Sequence, residues 1–310
     1  MENLAPILLF VYNRPDTTKK TIEALIKNEL SKESELYIFS DAAKDTSQKK
    51  KVDEVRKIIH DVNGFKNVHL KIEEKNKGLA NSIIDGVTKV AENQGKVIVL
   101  EDDLITSPWF LRYMNDTLNL YEDNSKIWSI SGYSPAINFP EDYNNDLYLT
   151  GRACSWGWAT WNSRWKLIDW DISNYSSFKK DKKQKKAFNR QGNDMSFMLR
   201  NQMKGYIDSW AIRWCYNQFL NNSLTIYPRY SYIENIGFKN SSTHGSLSRN
   251  FEVTLAKRYP IDLIVDEMQN PSIIKEFSAK YNLTWINYLG QLSREIGIYK
   301  LVKSFVKKIS

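Results

Sequence analysis

Four strand-length apolar runs, at 7–12, 36–39, 68–72 and 97–100, alternate with stretches of helical spacing. That alternation limits the chain to a narrow set of folds. The first and fourth runs have no charged interruption, as expected of strands covered on both faces. A helix is expected from Asp16-Thr17-Thr18, which can cap it, to about residue 30. Others are expected over 46–60, with Val52, Val55, Ile58 and Ile59 on one face, and over 78–92. A repeated β-α-β order predicts an α/β fold: a mostly parallel sheet with helices on both faces. Ligands of such sheets bind outside the carboxyl ends of the strands. Three of those ends are polar here: Asn13-Arg14, Asp41 and Glu101-Asp102-Asp103.

Beyond residue 106 the pattern loosens. Ser107-Pro108 predicts the start of a helix to about 121, with Ser as cap and Pro at the first position. Residues 127–170 carry Trp128, Trp156, Trp158, Trp161, Trp165 and Trp170 between glycines, and read as strands, loops and a short helix. Helices are expected near 193–204 and 209–221, then a short strand and a loop over 223–245. The tail, 272–310, reads as helical. Three segments follow: 1–126, which carries the β-α-β pattern, 127–250 as the second half of the same domain, and 251–310 as a helical extension.

The acids Glu101, Asp102 and Asp103 follow a buried strand with no basic residue between them. Adjacent carboxylates repel unless a cation neutralises them. Mg²⁺ and Mn²⁺ prefer oxygen ligands and bridge phosphates. On composition alone a solvated acidic turn is as good a reading; the position at a strand's carboxyl end favours a metal site.

The run Val97–Asp103, then Leu104 and Ser107-Pro108-Trp109-Phe110, resembles the metal-binding segment of GT-A fold glycosyltransferases. It is most similar to the N-acetylglucosaminyltransferase I group and to bacterial family-2-like sugar transferases. Phe10-Val11-Tyr12-Asn13-Arg14-Pro15 resembles their opening strand and nucleotide-contacting turn, Ser40-Asp41 their second strand end, and Asn76-Lys77-Gly78-Leu79-Ala80 the segment before the third helix. Trp128-Ser129-Ile130-Ser131-Gly132 and Trp156-Gly157-Trp158 are similar to the following strand and the acceptor-side segment. The likeness runs over most of residues 5–245. It implies a GT-A, Rossmann-like domain with 1–126 as its nucleotide-sugar-binding half and 127–250 as its acceptor-binding and catalytic half. It implies Asp103 as direct metal ligand and Glu101 and Asp102 on the ribose or donor sugar. It also implies Arg14 and Asp41 at the uracil of a UDP-sugar, and Lys77 on the donor. Without it, Arg14 is a surface turn residue and Asp41 a helix cap.

Transfer with inversion needs a base for the acceptor hydroxyl. By the same resemblance that base is Asp208, in Ile207-Asp208-Ser209-Trp210; Asp194, also near a helix start, is its rival. A capping role for Asp208-Ser209 fits the sequence equally, and inversion rests on Asp208 alone, so a retaining reaction stays open. His244, in the polar segment Ser242-Thr243-His244-Gly245, matches the late His that many such enzymes place on the metal or diphosphate. Trp156 and Trp158, with Arg152 nearby, are the candidate acceptor wall; core packing is the competing role.

The implied activity is an inverting, Mn²⁺- or Mg²⁺-dependent hexosyl transfer from a UDP-sugar, with N-acetylglucosamine the family-implied sugar. The acceptor would be a glycan or lipid-linked glycan of bacterial surface polysaccharide synthesis. A nucleotidyltransferase on sugar phosphates is the first alternative, but Tyr12-Asn13-Arg14-Pro15 lacks the glycines of a phosphate loop. An inactive carbohydrate-binding protein of the same fold is the second. The net charge of +8 suits an anionic partner, and no nucleic-acid-binding signature is present. Residues 294–310 read as a basic amphipathic helix suited to an anionic membrane surface. Two cysteines are too few for a disulfide scaffold. With no leader-like amino terminus, a cytoplasmic protein is expected, peripheral on the inner face of the membrane if the tail binds there.

Overall fold

The first and fourth apolar runs form strands buried on both faces, while the second is half-buried and the third lies at the sheet's exposed edge. In the computed structural model, which describes residues 3–237, 251–260, 262–266 and 268–283, the amino-terminal strands are β1 (Ile7–Val11), β2 (Glu35–Ser40), β3 (Asn67–Ile72) and β4 (Lys96–Glu101). Their neighbours in space follow the order β3-β2-β1-β4, every pair parallel. The chain leaves β1 towards β2 and β3, then returns to place β4 on the other side of β1. That reversal is a topological switch point between β1 and β4, where the crossovers diverge and leave a crevice.

Alternate residues of β1 and β4 serve different cores. Ile7, Leu9, Val11, Ile98 and Leu100 pack with Ile22 and Leu25 of α1 (Pro15–Ile26) and with Val55 and Ile59 of α2 (Thr46–His60). Leu8, Phe10, Val97 and Val99 pack with Ile83, Val87 and Val90 of α3 (Leu79–Gln94). The helices on both faces are therefore as the β-α-β pattern predicts. The first helix differs in its start: Pro15 occupies the first position, no side chain caps it, and the hydroxyls of Thr17 and Thr18 turn back to the Arg14 carbonyl.

A short strand, β5 (Leu104–Thr106), leads into α4 (Phe110–Leu120). Ser107 does not cap α4, which begins later than expected; its hydroxyl donates to the carbonyl of Ala256 at 2.7 Å. The second half adds β6 (Ile127–Ser131), β7 (Leu147–Thr150), β8 (Trp158–Trp161) and β9 (Leu224–Pro228) to the same sheet, in the order β4-β8-β6-β9-β7. β8 is antiparallel to both β4 and β6, and β9 is parallel to β6, so β6 and β9 point the same way as β4. One eight-stranded mixed sheet thus spans both halves.

Between β8 and β9 lie α5 (Asn162–Trp165), α6 (Tyr175–Phe178), α7 (Lys182–Phe188), α8 (Met195–Met203) and α9 (Trp210–Leu220). Trp158, Trp165, Trp210 and Trp214 form one packed aromatic group on the α3 face. β10 (Ile233–Asn235) pairs with β5, and α10 (Pro271–Lys280) buries Phe277 against Tyr148 and Tyr227. The carboxyl-terminal extension is therefore docked on the sheet as far as it is described. His244 and residues 294–310 lie outside the described residues. Among those described, no helix is long and apolar enough to cross a membrane.

Candidate active site at the switch point

The turn after β1 and the turn after β4 face one another across the switch point. Tyr12 donates its amide to Asp102 Oδ2 at 3.1 Å. Arg14 spans the two aspartates, with Nη2 2.5 Å from Asp102 Oδ1 and Nη1 2.7 Å from Asp103 Oδ2. Asp103 is 7% exposed, and its Oδ1 is buried without a hydrogen-bond partner. Glu101, at the end of β4, is partly exposed and lines the adjoining cleft with Asp102.

The electrostatics follow from this crowding. Burial, then Asp103 and Asp102, push the Glu101 carboxyl up to about 8. Burial also raises Asp102, to about 6, against the pull of Arg14 and the Tyr12 amide. Burial opposes the charge on Arg14, but Asp102 and Asp103 outweigh it and hold the guanidinium protonated. The site is thus short of positive charge, with one guanidinium shared between two aspartates and the raised Glu101 carboxyl beside them.

A second feature closes over Asp103. The β5–β10 ribbon carries Ile236, whose amide donates to the Asp103 carbonyl at 2.9 Å. Gly237 comes next, and a Cβ there would stand 2.1 Å from Asp103 Oδ2. Only glycine permits this approach. The described chain breaks off here, seven residues before His244.

The donor set fits a divalent ion. Asp103 offers a buried oxygen that lacks a donor, and hard ions take carboxylates together with substrate phosphates and water rather than an all-protein cage. Among the described residues, no group of three or more His, Cys, Asp or Glu is arranged to hold a metal. Asp103 would therefore share the ion with non-protein oxygens or with residues outside the described set.

The adjoining cleft, of about 400 Å³, is lined by Tyr12, Asn13, Phe39, Asp41, Leu79 and Glu101 among others. Asp41 does not cap a helix. Its Oδ1 accepts from the amides of Ala42 and Lys77, and its Oδ2 from Gly78 and the Asn76 side chain, at 2.8–3.0 Å. Those four bonds take up its acceptor capacity. Asp41 thus staples the 76–78 turn into the cleft wall, with no oxygen left over for a ligand. Lys77 turns away: its ammonium pairs with Asp85 and Glu73. Gln48 had no signal in the sequence; it accepts from Tyr12 and Asn13 and fixes the cleft floor.

Asp208 reaches the same edge by topology. β9 starts beside the start of β6, immediately after α9 ends, so α9 runs back against β9 from the carboxyl edge of the sheet. The residue before its cap, Asp208, therefore stands at the edge that carries Glu101–Asp103. Ser209, not Asp208, caps α9, accepting from the Ile212 amide. The Asp208 carboxylate is 65% exposed and lies 3.4 Å from Arg213.

Its rival is placed otherwise. Asp194 begins α8, whose nine residues, about 13 Å of helix, separate it from the turn that carries Asp208. Both of its oxygens are taken by Arg152, at 2.7 and 2.8 Å, in a buried pair over the Tyr281 ring. Asp194→Asn is expected to lower stability by about 3–5 kcal/mol, because it strands a buried guanidinium. Denaturant unfolding reads the loss; an unchanged midpoint would mean the pair carries no such role.

The three candidate acceptor-wall residues lie in different surroundings. Arg152 is committed to Asp194. Trp158 is 1% exposed inside the Trp165–Trp210–Trp214 group and has no free face. Trp156 lies on the other core, partly exposed against Tyr133 and Phe251.

Comparison with known proteins gives a family match: the profile of glycosyl transferase family 2 covers residues 7–201. No curated protein matches the sequence. Among solved structures, a mannosyltransferase from Pyrobaculum calidifontis in complex with GDP-Man and Mn²⁺ is 12% identical, with a TM-score of 0.36 over 53% of this chain and 48% of that one. S. aureus TarS 1–349 is 10% identical, with a TM-score of 0.41 over 74% and 59%. UDP-glucose pyrophosphorylase complexed with UDP-glucose is 11% identical, with a TM-score of 0.35 over 74% and 91%. The chain spans about half the length of the first two of these.

Proposed function

Because the chain belongs to glycosyl transferase family 2, and so is a glycosyltransferase of GT-A-like α/β fold, we propose that it moves a hexose from a UDP-sugar to a glycan hydroxyl with inversion, using a divalent metal at Asp103. The observation that carries this reading is the Asp103 carboxylate: buried at the switch point, among three acids, with one oxygen lacking any donor. A bare carboxylate oxygen of that kind costs stability, and a donor-bound cation would recover it.

The cleft of about 400 Å³ beside β2 and β4 would take the nucleoside, with Phe39, Leu79 and the Asn13–Arg14 turn around it. Glu101 and Asp102, which line the same cleft, would meet the ribose or the donor sugar. When bound, Mn²⁺ or Mg²⁺ would neutralise the charge that develops on the departing diphosphate. Asp208 would accept the proton of the acceptor hydroxyl as that oxygen attacks the anomeric carbon. The bond from the anomeric carbon to the UDP oxygen breaks, and UDP leaves with the electron pair. Trp156, the partly exposed member of the proposed wall, would carry the acceptor side.

A donor screen for Mn²⁺-dependent UDP release tests the reading, with UDP-N-acetylglucosamine first and a lipid-linked or free glycan as acceptor. Release that requires both acceptor and Mn²⁺ is the expected result. Equal turnover in EDTA would remove the metal from the mechanism. Activity with a GDP-sugar alone would overturn the choice of nucleotide. A glycan acceptor would fit a place in bacterial surface polysaccharide synthesis on the cytoplasmic side of the membrane, with the basic tail at 294–310 as the proposed membrane contact. A tail-deleted protein that still sediments with anionic vesicles would exclude that contact.

A further inference from the structure

Arg14 makes the least expected contact in the site. A residue assigned to nucleotide recognition instead holds both aspartates, with its two terminal nitrogens on two different carboxylates. Its backbone is set by Pro15 at the start of α1, and its side chain remains 43% exposed on the outer side. It neutralises charge without completing the site, because Asp103 Oδ1 still lacks a donor.

A divalent ion on Asp103 would have to share that carboxylate with the guanidinium. Oδ1, which lacks a partner, is the oxygen open to a metal, while Arg14 Nη1 holds Oδ2 at 2.7 Å. Two cations on one largely buried carboxylate repel where screening is weak. Of the two, Arg14 is the one with an exposed side to move out by.

We propose that Arg14 is a displaceable internal counter-cation: it occupies Asp102 and Asp103 in the donor-free protein, and a divalent ion enters by expelling it towards the diphosphate of the arriving nucleotide sugar. This rests on the metal-dependent reading above. Metal and nucleotide binding are then coupled through one side chain. A nucleotide that draws Arg14 away raises metal affinity, and by linkage the metal raises nucleotide affinity by the same factor. Metal alone binds weakly, because it must compete with a tethered cation.

The test measures free Mn²⁺ by electron paramagnetic resonance on the full chain, with and without UDP. Without UDP, Arg14→Gln is expected to bind Mn²⁺ at least tenfold more tightly than the parent protein. UDP should tighten Mn²⁺ binding in both proteins, since its phosphates help to hold the ion, and by several-fold more in the parent, where it also draws Arg14 away, than in Arg14→Gln. Melting in EDTA and then in Mn²⁺ checks folding: the variant should melt lower without metal and show the larger upward shift with it. If Arg14→Gln does not fold, Arg14→Lys replaces it, with an intermediate gain expected because a single ammonium cannot span both carboxylates. Adding Asp103→Asn to the variant should abolish the tight site. Parent-like or weaker Mn²⁺ binding by the Arg14 variant, with the parent still binding Mn²⁺ and UDP, overturns the counter-cation and leaves the metal reading intact. Absence of Mn²⁺ binding in every variant, even with UDP, overturns both.

Discussion

Asp208→Asn is expected to cut kcat by roughly 10²–10⁴-fold, the range for losing a positioned general base. Affinity for UDP and Mn²⁺ and the unfolding midpoint should stay near those of the parent. The carboxylate is 65% exposed, its described partner is Arg213 at 3.4 Å, and the cap of α9 belongs to Ser209. Arg213, whose side chain is 14% exposed, keeps the backbone carbonyls of Ser209 and Trp170 as acceptors, and an amide of the same shape still offers it an oxygen, so the stability cost should stay within about 1 kcal/mol. Removing basicity while keeping shape isolates the proton transfer, so the loss should appear in kcat rather than KM. The contrast with Asp194→Asn is the sharper part of the expectation. One aspartate should lose turnover and keep its fold; the other should lose fold. A variant at position 208 that transfers sugar at the parent rate would remove the base assignment and, with it, the case for inversion.

The parts of the fold visible in the sequence are those where one physical signal dominates. β1 and β4 are covered on both faces, so their residues are uniformly apolar, and the helix at 46–60 keeps the bounds its periodicity implies. The order β8-β6-β9-β7 was not legible. Those strands have only four or five residues each, and pairing partners far apart in sequence fix their order. Trp156 and Trp158 show why residue spacing misleads there. Two positions apart on a strand they would share a face, but Gly157 between them sits at φ +60° and turns the chain, sending one ring to each core. The triplet was legible because like charges at a strand end have few reasons to coexist. The Arg14 bridge was not, since its partners lie about ninety positions away. Arg152 and Asp194, 42 apart, were separately plausible site residues and together form a structural pair. Gly237 carried no motif; its importance is the space it leaves beside Asp103.

Asp103→Asn should abolish Mn²⁺-dependent transfer, by about 10³-fold or more, since a bound metal supplies several kcal/mol of charge stabilisation to the leaving diphosphate. The same change should leave the metal-free protein as stable as the parent or slightly more so. Asn keeps an oxygen for Arg14 and fills the same volume beneath Gly237, so no cavity opens. It also removes one of the two adjoining aspartate charges that Arg14 holds together, and with it the charge on a buried oxygen that lacks a donor. Residues kept for function against local electrostatics commonly show this separation of activity from stability. Two measurements check it: the unfolding midpoint in EDTA, and the upward shift in melting on adding Mn²⁺ with UDP, which the parent should show and the variant should lack. A variant that melts far below the parent in EDTA would make Asp103 a structural residue held by Arg14. In that case the buried, donor-less oxygen would need a different explanation from a metal.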